Sequence, residues 1–254
     1  MINEVINKVL SAKKYENIHP STVKRTAERI LEEDEKISDD EAVKKIKKEL
    51  YTIHAHYYNG LDYKKALNSF RKNPDNIKNY EHWLRKYDNN RLKSVKNDCY
   101  GKIFRITGKP RVILDLACGL NPLTLQWMNL DKNAEYYCYD IEKNMINFLN
   151  EYFRIIKMKK CSAFFQDVVS RIPEMKADVA FIFKASTCFE WQKAGNTMKV
   201  LNGLKTKYAV ISLMMRGEYN LDGCRNYFRK LLGEKYDDSY EVVSEKEYFR
   251  ILKK

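Results

Sequence analysis

The spacing of apolar residues changes once along the chain, near residue 110. Before that point it is helical. Ile2, Val5, Ile6, Val9 and Leu10 mark one helix face, and a second helix is predicted over Val23–Glu33, after His19-Pro20 and with Ser21 or Thr22 as its cap. Ser38-Asp39-Asp40-Glu41 opens a further segment, Ala42–Tyr58, with acids in the first turn where the helix dipole favours them; Asn59-Gly60 closes it. Leu61–Phe70 and Ile77 to about Phe104 complete a part of the chain that reads as helices only.

From Arg111 short apolar runs alternate with helical stretches, the pattern of a parallel α/β sheet. The predicted strands are Val112–Ala117, Tyr136–Asp140, Ser162–Gln166, Val179–Phe183 and Tyr208–Ser212. A closing pair, about Asp238–Val243 and Tyr248–Leu252, forms a terminal antiparallel hairpin. The expectation is a Rossmann-like α/β sheet of five parallel strands plus that hairpin, preceded by an all-helical N-terminal domain. The division falls at 104–110, giving domains 1–104 and 105–254.

The most informative stretch is Val112–Leu123, VILDLACGLNPL. It predicts a buried strand, a tight turn at Gly119, and a helix that Asn121-Pro122 caps and starts. The turn has one glycine where a dinucleotide fingerprint needs three, so no pyrophosphate cradle is indicated. A ligand with adenosine but no phosphates, such as S-adenosylmethionine, suits it. Asp140 ends the next apolar run about 20 residues past Gly119, where an acid can accept hydrogen bonds from both ribose hydroxyls. In such sheets ligands sit at the carboxyl ends of the strands, which here carry Asp115 and Gly119, Asp140, Gln166 and Asp167, Lys184, and Ser212. Asp167 is placed to accept from an adenine amino group, and the Lys184 charge emerges at the pocket mouth. Taken singly, these residues also read as the ordinary glycines, acids and solvated loop residues of any α/β fold.

Composition adds a partner. The 254 residues carry 47 Lys+Arg against 34 Asp+Glu, a formal net charge of +13, which points to a polyanion, nucleic acid ahead of membrane. A lysine-rich, AT-biased composition is the plainer source of the same charge. Its distribution is more telling: residues 1–63 are close to neutral, whereas residues 64–104 hold 11 basic groups and 4 acidic ones. Six cysteines are scattered without ligand spacing, so neither a metal site nor a disulfide framework is expected. With no leader or membrane-length apolar run, a soluble cytoplasmic protein is expected, and nothing suggests an obligate dimer, so a monomer.

The strand plan is that of class I methyltransferases, and the motifs resemble one family of them. The Cys118-Gly119-Leu120-Asn121-Pro122-Leu123 turn, Gln166-Asp167 after the third strand and Ile182-Phe183-Lys184 after the fourth look like the Arm/Rmt aminoglycoside-resistance 16S rRNA methyltransferases. Ser11–Tyr15, Pro20–Arg25 and His54-Ala55-His56-Tyr57-Tyr58 are similar as well. The resemblance implies an S-adenosylmethionine pocket made by Gly119, Asp140, Gln166 and Asp167, with Arg91 pairing with the methionine carboxylate. It implies methyl transfer to N7 of a decoding-site guanosine, and docking of the helical part on 16S rRNA in the small ribosomal subunit. Lys184 and Arg216 are expected near the target nucleotide, with Phe183, Phe189 or Trp191 lining the base pocket. The chain departs from the family at Arg85–Arg91, Lys184–Thr187, Ser212-Leu213-Met214 and Met215–Tyr219. The substrate-facing departures leave open a diverged methyltransferase of another RNA base; the retained cofactor residues argue against a non-catalytic ribosome-binding relative.

Overall fold

A computed structural model of the chain describes residues 2–55, 61–217 and 219–254. Helices α1 (Ile2–Leu10), α2 (Pro20–Glu33) and α3 (Asp39–Leu50) turn their apolar stripes inward. Val5, Val9, Val23, Ala27, Ile30, Ile46 and Leu50 form a small core of their own. Ser38 caps α3 by accepting from the Glu41 N–H, as its sequence position predicts. The cap of α2 differs: His19 accepts the Ser21 N–H, with Pro20 in the first turn, which leaves the Ser21 and Thr22 hydroxyls for other partners. After α3 the chain continues as a π-helical turn, Tyr51–Ala55. The remainder of the predicted segment to Tyr58, the Asn59-Gly60 stop and the His56-Tyr57-Tyr58 part of the motif lie outside the described residues.

Helix α4 (Tyr63–Lys72) follows. The span expected as one helix from Ile77 to Phe104 is instead three, α5 (Ile77–Tyr87), α6 (Asn89–Lys96) and α7 (Cys99–Thr107). Each break is an aspartate. Asp88 leaves helical geometry (φ −147°) and accepts the Arg91 N–H; Asp98 adopts a left-handed conformation (φ 55°) and accepts the Gly101 N–H. Such side-chain bonds compete with the helix ladder locally, which apolar periodicity does not register. Among the described residues, their buried apolar side chains belong to a core separate from that of α1–α3. Phe70, Tyr80, Leu92, Tyr100 and Ile103 share a core with Ile113, Tyr136, Phe181 and Phe249 of the sheet. Core packing thus groups α4–α7 with the sheet, and the predicted 104–110 junction includes the last residues of α7. The change of period marks where strands begin, not where one core ends.

The described residues form a seven-stranded sheet in the order β3-β2-β1-β4-β5-β7-β6. Its strands are β1 (Val112–Leu116), β2 (Glu135–Asp140), β3 (Cys161–Phe165), β4 (Lys176–Phe183), β5 (Lys205–Met214), β6 (Ser239–Ser244) and β7 (Glu247–Lys253). The first five are parallel, and β7 runs antiparallel to both β5 and β6. Strand alternation feeds two layers: Ile113, Phe181 and Val210 face the α4–α7 side, and Leu114, Ile182 and Ile211 face the other. Helices α8 (Leu125–Met128) and α9 (Lys143–Ile155) lie on the first side; α11 (Asn196–Gly203) and α12 (Leu221–Leu232), with the short α10 (Ser186–Gln192), lie on the second. Asn121-Pro122 opens a 3-10 turn before α8, and the Asn121 side chain does not cap it. Among the described residues no helix is long and apolar enough to cross a membrane, and all six cysteines are free and buried.

The N-terminal core is fastened to the sheet beside β2 and β3. Ile18 bridges Glu142, the His19 N–H donates to Ile141 O at 2.8 Å, and the Lys143 N–H donates to Asn17 O at 2.9 Å. From α2, Thr22 Oγ1 donates to Asp167 Oδ2 at 2.8 Å and Arg25 forms an ion pair with the same oxygen. Arg25→Ala is expected to lower stability by about 1–3 kcal/mol, because it strips a buried carboxylate of its cation. Hydrogen exchange should show protection lost over residues 17–30 and retained in β1 and β4; uniform loss would mean that α1–α3 do not open independently.

Candidate active site

A cavity of about 440 Å³ opens at the carboxyl ends of the strands, where β1 has β2 on one side and β4 on the other. That is the switch point at which open α/β sheets bind ligands, and the volume suits a nucleoside-sized one. Ala117–Asn121 form its floor; Asp140, Gln166 and Asp167 line the β2–β3 side, and Phe183, Lys184 and Arg91 the β4 side. Gly119 has φ +49°, the conformation its type permits, and its N–H donates to Asp140 Oδ2 at 2.9 Å. The Glu142 N–H donates to Asp140 Oδ1 at 3.2 Å. The turn after β1 therefore orients the Asp140 carboxylate at the cavity wall. The Gln166 N–H donates to Asp140 O, and its side-chain amide donates to Arg171 O at 2.7 Å.

Asp167 lines the cavity, but its carboxylate is already engaged. Oδ2 accepts from Ser21, Thr22, Arg25 and Ser170 side chains, and Oδ1 accepts from the Val169 and Ser170 N–H groups. Burial opposes its ionisation, yet the Arg25 guanidinium prevails and holds the carboxyl below the usual range. The same carboxylate, expected at the adenine, thereby anchors α2. Its four lone-pair sites are more than used.

Asp115 is not among the cavity residues. Alternation along β1 turns it beneath the floor, where Tyr136 and Asn121 (3.0 Å) donate to Oδ2 and Oδ1 has no partner among the described residues. It secures Asn121 next to the glycine turn. Burial pushes its pKa up to about 7.

Arg91 is completely buried, yet lines the cavity. Nη2 donates to Glu247 Oε1 at 2.7 Å, and the guanidinium carbon lies 4.4 Å from the Phe183 ring centroid. Nε and Nη1 are buried with no hydrogen-bond partner among the described residues. Lys184 also lines the cavity, in a left-handed conformation (φ +58°), but its ammonium is turned to Asp88 at 2.6 Å and not into open space. Burial works against Asp88 ionising; Lys184 and Arg91 overcome it and hold the Asp88 carboxyl low. The predicted contact of Lys184 with a substrate thus competes with a formed ion pair. Arg216 is exposed at the rim and makes no ion pair among the described residues. Of the three predicted aromatics, Phe183 and Phe189 are buried in the core, whereas Trp191 stands 58% exposed on the rim.

Sequence inspection missed Glu247 and the roles of Asp88, Arg25 and Thr22, the last two lying in the Pro20–Arg25 motif without their contact to Asp167 being foreseen. Asp88 was visible as a departure within Arg85–Arg91, without its capping role. Glu247 gave no signal, since an acid just before a short strand reads as a loop residue.

The strand order, the single-glycine turn with its paired acid and the cavity at the switch point define a class I methyltransferase. The family described as ribosomal RNA methyltransferase (FmrO) matches residues 11–222, and the chain belongs to it. A relative from Proteus mirabilis, the 16S rRNA (guanine(1405)-N(7))-methyltransferase, is 26% identical over 232 residues, covering 85% of this chain and 82% of its own. Among solved structures, the 16S rRNA methylase RmtB superposes with a TM-score of 0.83 at 25% identity, over 100% of this chain and 98% of its own. The 16S rRNA methyltransferase RmtF, solved with S-adenosyl-L-homocysteine, has the same fold (TM-score 0.83, 23% identity, over 100% of this chain and 98% of its own).

Asp115 supplies a pH test. Its folded pKa lies above the ordinary value, so from about pH 4 to about pH 7 the folded state binds the extra proton and stability falls as pH rises. Asp115→Asn lacks that term. The melting temperature of the variant relative to the unsubstituted protein should rise across this window and level off above it; parallel profiles would show that Asp115 does not titrate there.

Proposed function

We propose that the chain transfers a methyl group from S-adenosylmethionine to N7 of a decoding-site guanosine of 16S rRNA in the small subunit, conferring aminoglycoside resistance. The observation that carries this reading is the chemistry of the cavity wall. A buried guanidinium with two nitrogens unpaired among the described residues (Arg91) and an oriented carboxylate (Asp140) stand on opposite sides of β1. A ligand with an amino-acid carboxylate at one end and a ribose diol at the other satisfies both, and needs no phosphate site. The name of the Proteus mirabilis relative supports N7 of guanine as the acceptor. S-adenosylhomocysteine in RmtF supports the donor.

When bound, S-adenosylmethionine supplies an electrophilic methyl group. Guanine N7 already presents a lone pair, so the chain's task is to hold it in line rather than to remove a proton. Trp191 stacks on the splayed base, the sequence-tolerant way to hold one. Arg216 takes an adjacent phosphate or base edge. Lys184 serves through Asp88, which caps the helix carrying Arg91. The basic stretch 64–104 docks on rRNA phosphates, which position an enzyme without reading sequence. A monomer acting on cytoplasmic ribosomes accords with these roles.

The test uses purified protein, small ribosomal subunits and tritiated S-adenosylmethionine, with the label mapped by borohydride–aniline cleavage. Label at a decoding-site guanine is expected. Its absence, with S-adenosylhomocysteine binding intact, would assign the chain to another RNA base. Trp191→Ala combined with Arg216→Ala should lower kcat/KM for subunits about tenfold or more, leaving S-adenosylhomocysteine affinity unchanged. Equal loss of both would place these residues on the cofactor side.

A further inference from the structure

Glu247 opens β7, beyond residue 222 where the family match ends. It is 1% exposed, an unusual setting for a carboxylate in a strand. Both oxygens are occupied. Oε1 accepts from Arg91 Nη2 at 2.7 Å and from Ser212 Oγ at 2.5 Å, and Oε2 accepts from Ser94 Oγ at 3.0 Å. The donors come from α6 and β5, so the carboxylate cannot rotate about its own axis. Ser94 lies one turn beyond Arg91 on the same helix, which sets the helix in register with the strand as well as holding the side chain.

We propose that Glu247 is a positioning residue that aims the Arg91 guanidinium at the carboxylate of the bound methyl donor. The proposal rests on the role given to Arg91 above. A guanidinium is planar, so fixing one Nη and covering one face with Phe183 sets the direction of the remaining N–H groups. They include those on Nε and Nη1, which have no partner among the described residues. Stability alone gives little reason for the arrangement, because a buried ion pair is commonly no better than apolar residues of the same volume. A guanidinium held ready for an anion does give one, since the ligand then meets a site that needs no rearrangement. Ser212 belongs to the same device. The sequence places it at the substrate side, but its hydroxyl donates inward to Glu247 and also accepts the Lys184 N–H at 3.1 Å.

Two ligands separate positioning from a general structural role. S-adenosylhomocysteine carries the amino-acid carboxylate; 5′-methylthioadenosine has the same nucleoside and lacks it. Calorimetry with Glu247→Asp, which withdraws the carboxylate by one methylene but keeps its charge, should show S-adenosylhomocysteine weakened about tenfold or more and methylthioadenosine within about twofold. Glu247→Ala should do the same; if it does not fold, Glu247→Asp decides. Glu247→Gln, of the original length, should restore S-adenosylhomocysteine affinity to within about threefold. Equal weakening of both ligands, or no weakening of either, overturns the proposal. Arg91→Met tests the underlying reading separately. If it leaves the ratio of the two affinities unchanged, Arg91 does not meet the carboxylate; if it collapses the ratio while the Glu247 variants do not, only the role of Glu247 fails.

Discussion

Arg91 is a full positive charge with no exposed surface, and much of the architecture around the cavity answers what that charge requires. An ion removed from water needs a counter-charge, hydrogen bonds and polarisable neighbours. Glu247 supplies the first two, and the rings of Phe183 and Phe249 supply the third. To bring Glu247 there, the end of the chain must return as β7 beside β5, antiparallel, with Glu247 at the strand's first position. To bring Arg91 there, the helical run must break at Asp88 so that α6 starts in a new direction. The terminal hairpin and the broken helix, distant in sequence, are two halves of one solution.

Much of the sheet was legible because its central strands, buried on both faces, write themselves as short apolar runs, and all seven predicted strands formed close to their predicted places. The glycine turn and Asp140 were legible for a related reason: both sit where the backbone itself must turn or stop. What stayed hidden depends on partners far away in sequence. Glu247 is 156 residues from Arg91, and Arg25 is 142 residues from Asp167. Nothing local distinguishes a carboxylate that will be saturated by a distant helix from one that will face a ligand, so Asp167 and Asp115 read alike with Asp140 although their surroundings differ.

The helical part shows the same limit in another form. Apolar spacing reported that residues 77–104 are helical, and missed that aspartates at 88 and 98 cut the run into three. It also could not say which core each helix would join. The N-terminal helices make their own core and meet the rest through a few hydrogen bonds, the Arg25–Asp167 pair and contacts with Ile141 and Phe165, while α4–α7 are built into the sheet's flank. The basic stretch 64–104 is therefore carried on the same body as the cavity.

Two residues with side chains, Ala117 and Lys184, hold left-handed backbone at the ends of β1 and β4. Each such residue costs on the order of 1 kcal/mol that glycine would not. Glycine at 184 would relieve the backbone and forfeit the ammonium that neutralises Asp88, so the strain and the ion pair are inherited together. That strain is released whenever the corner opens. The floor of the cavity is thus a region where brief excursions from the native state are cheaper than its hydrogen bonds alone would imply, and a ligand that binds only the native floor makes them rarer by mass action.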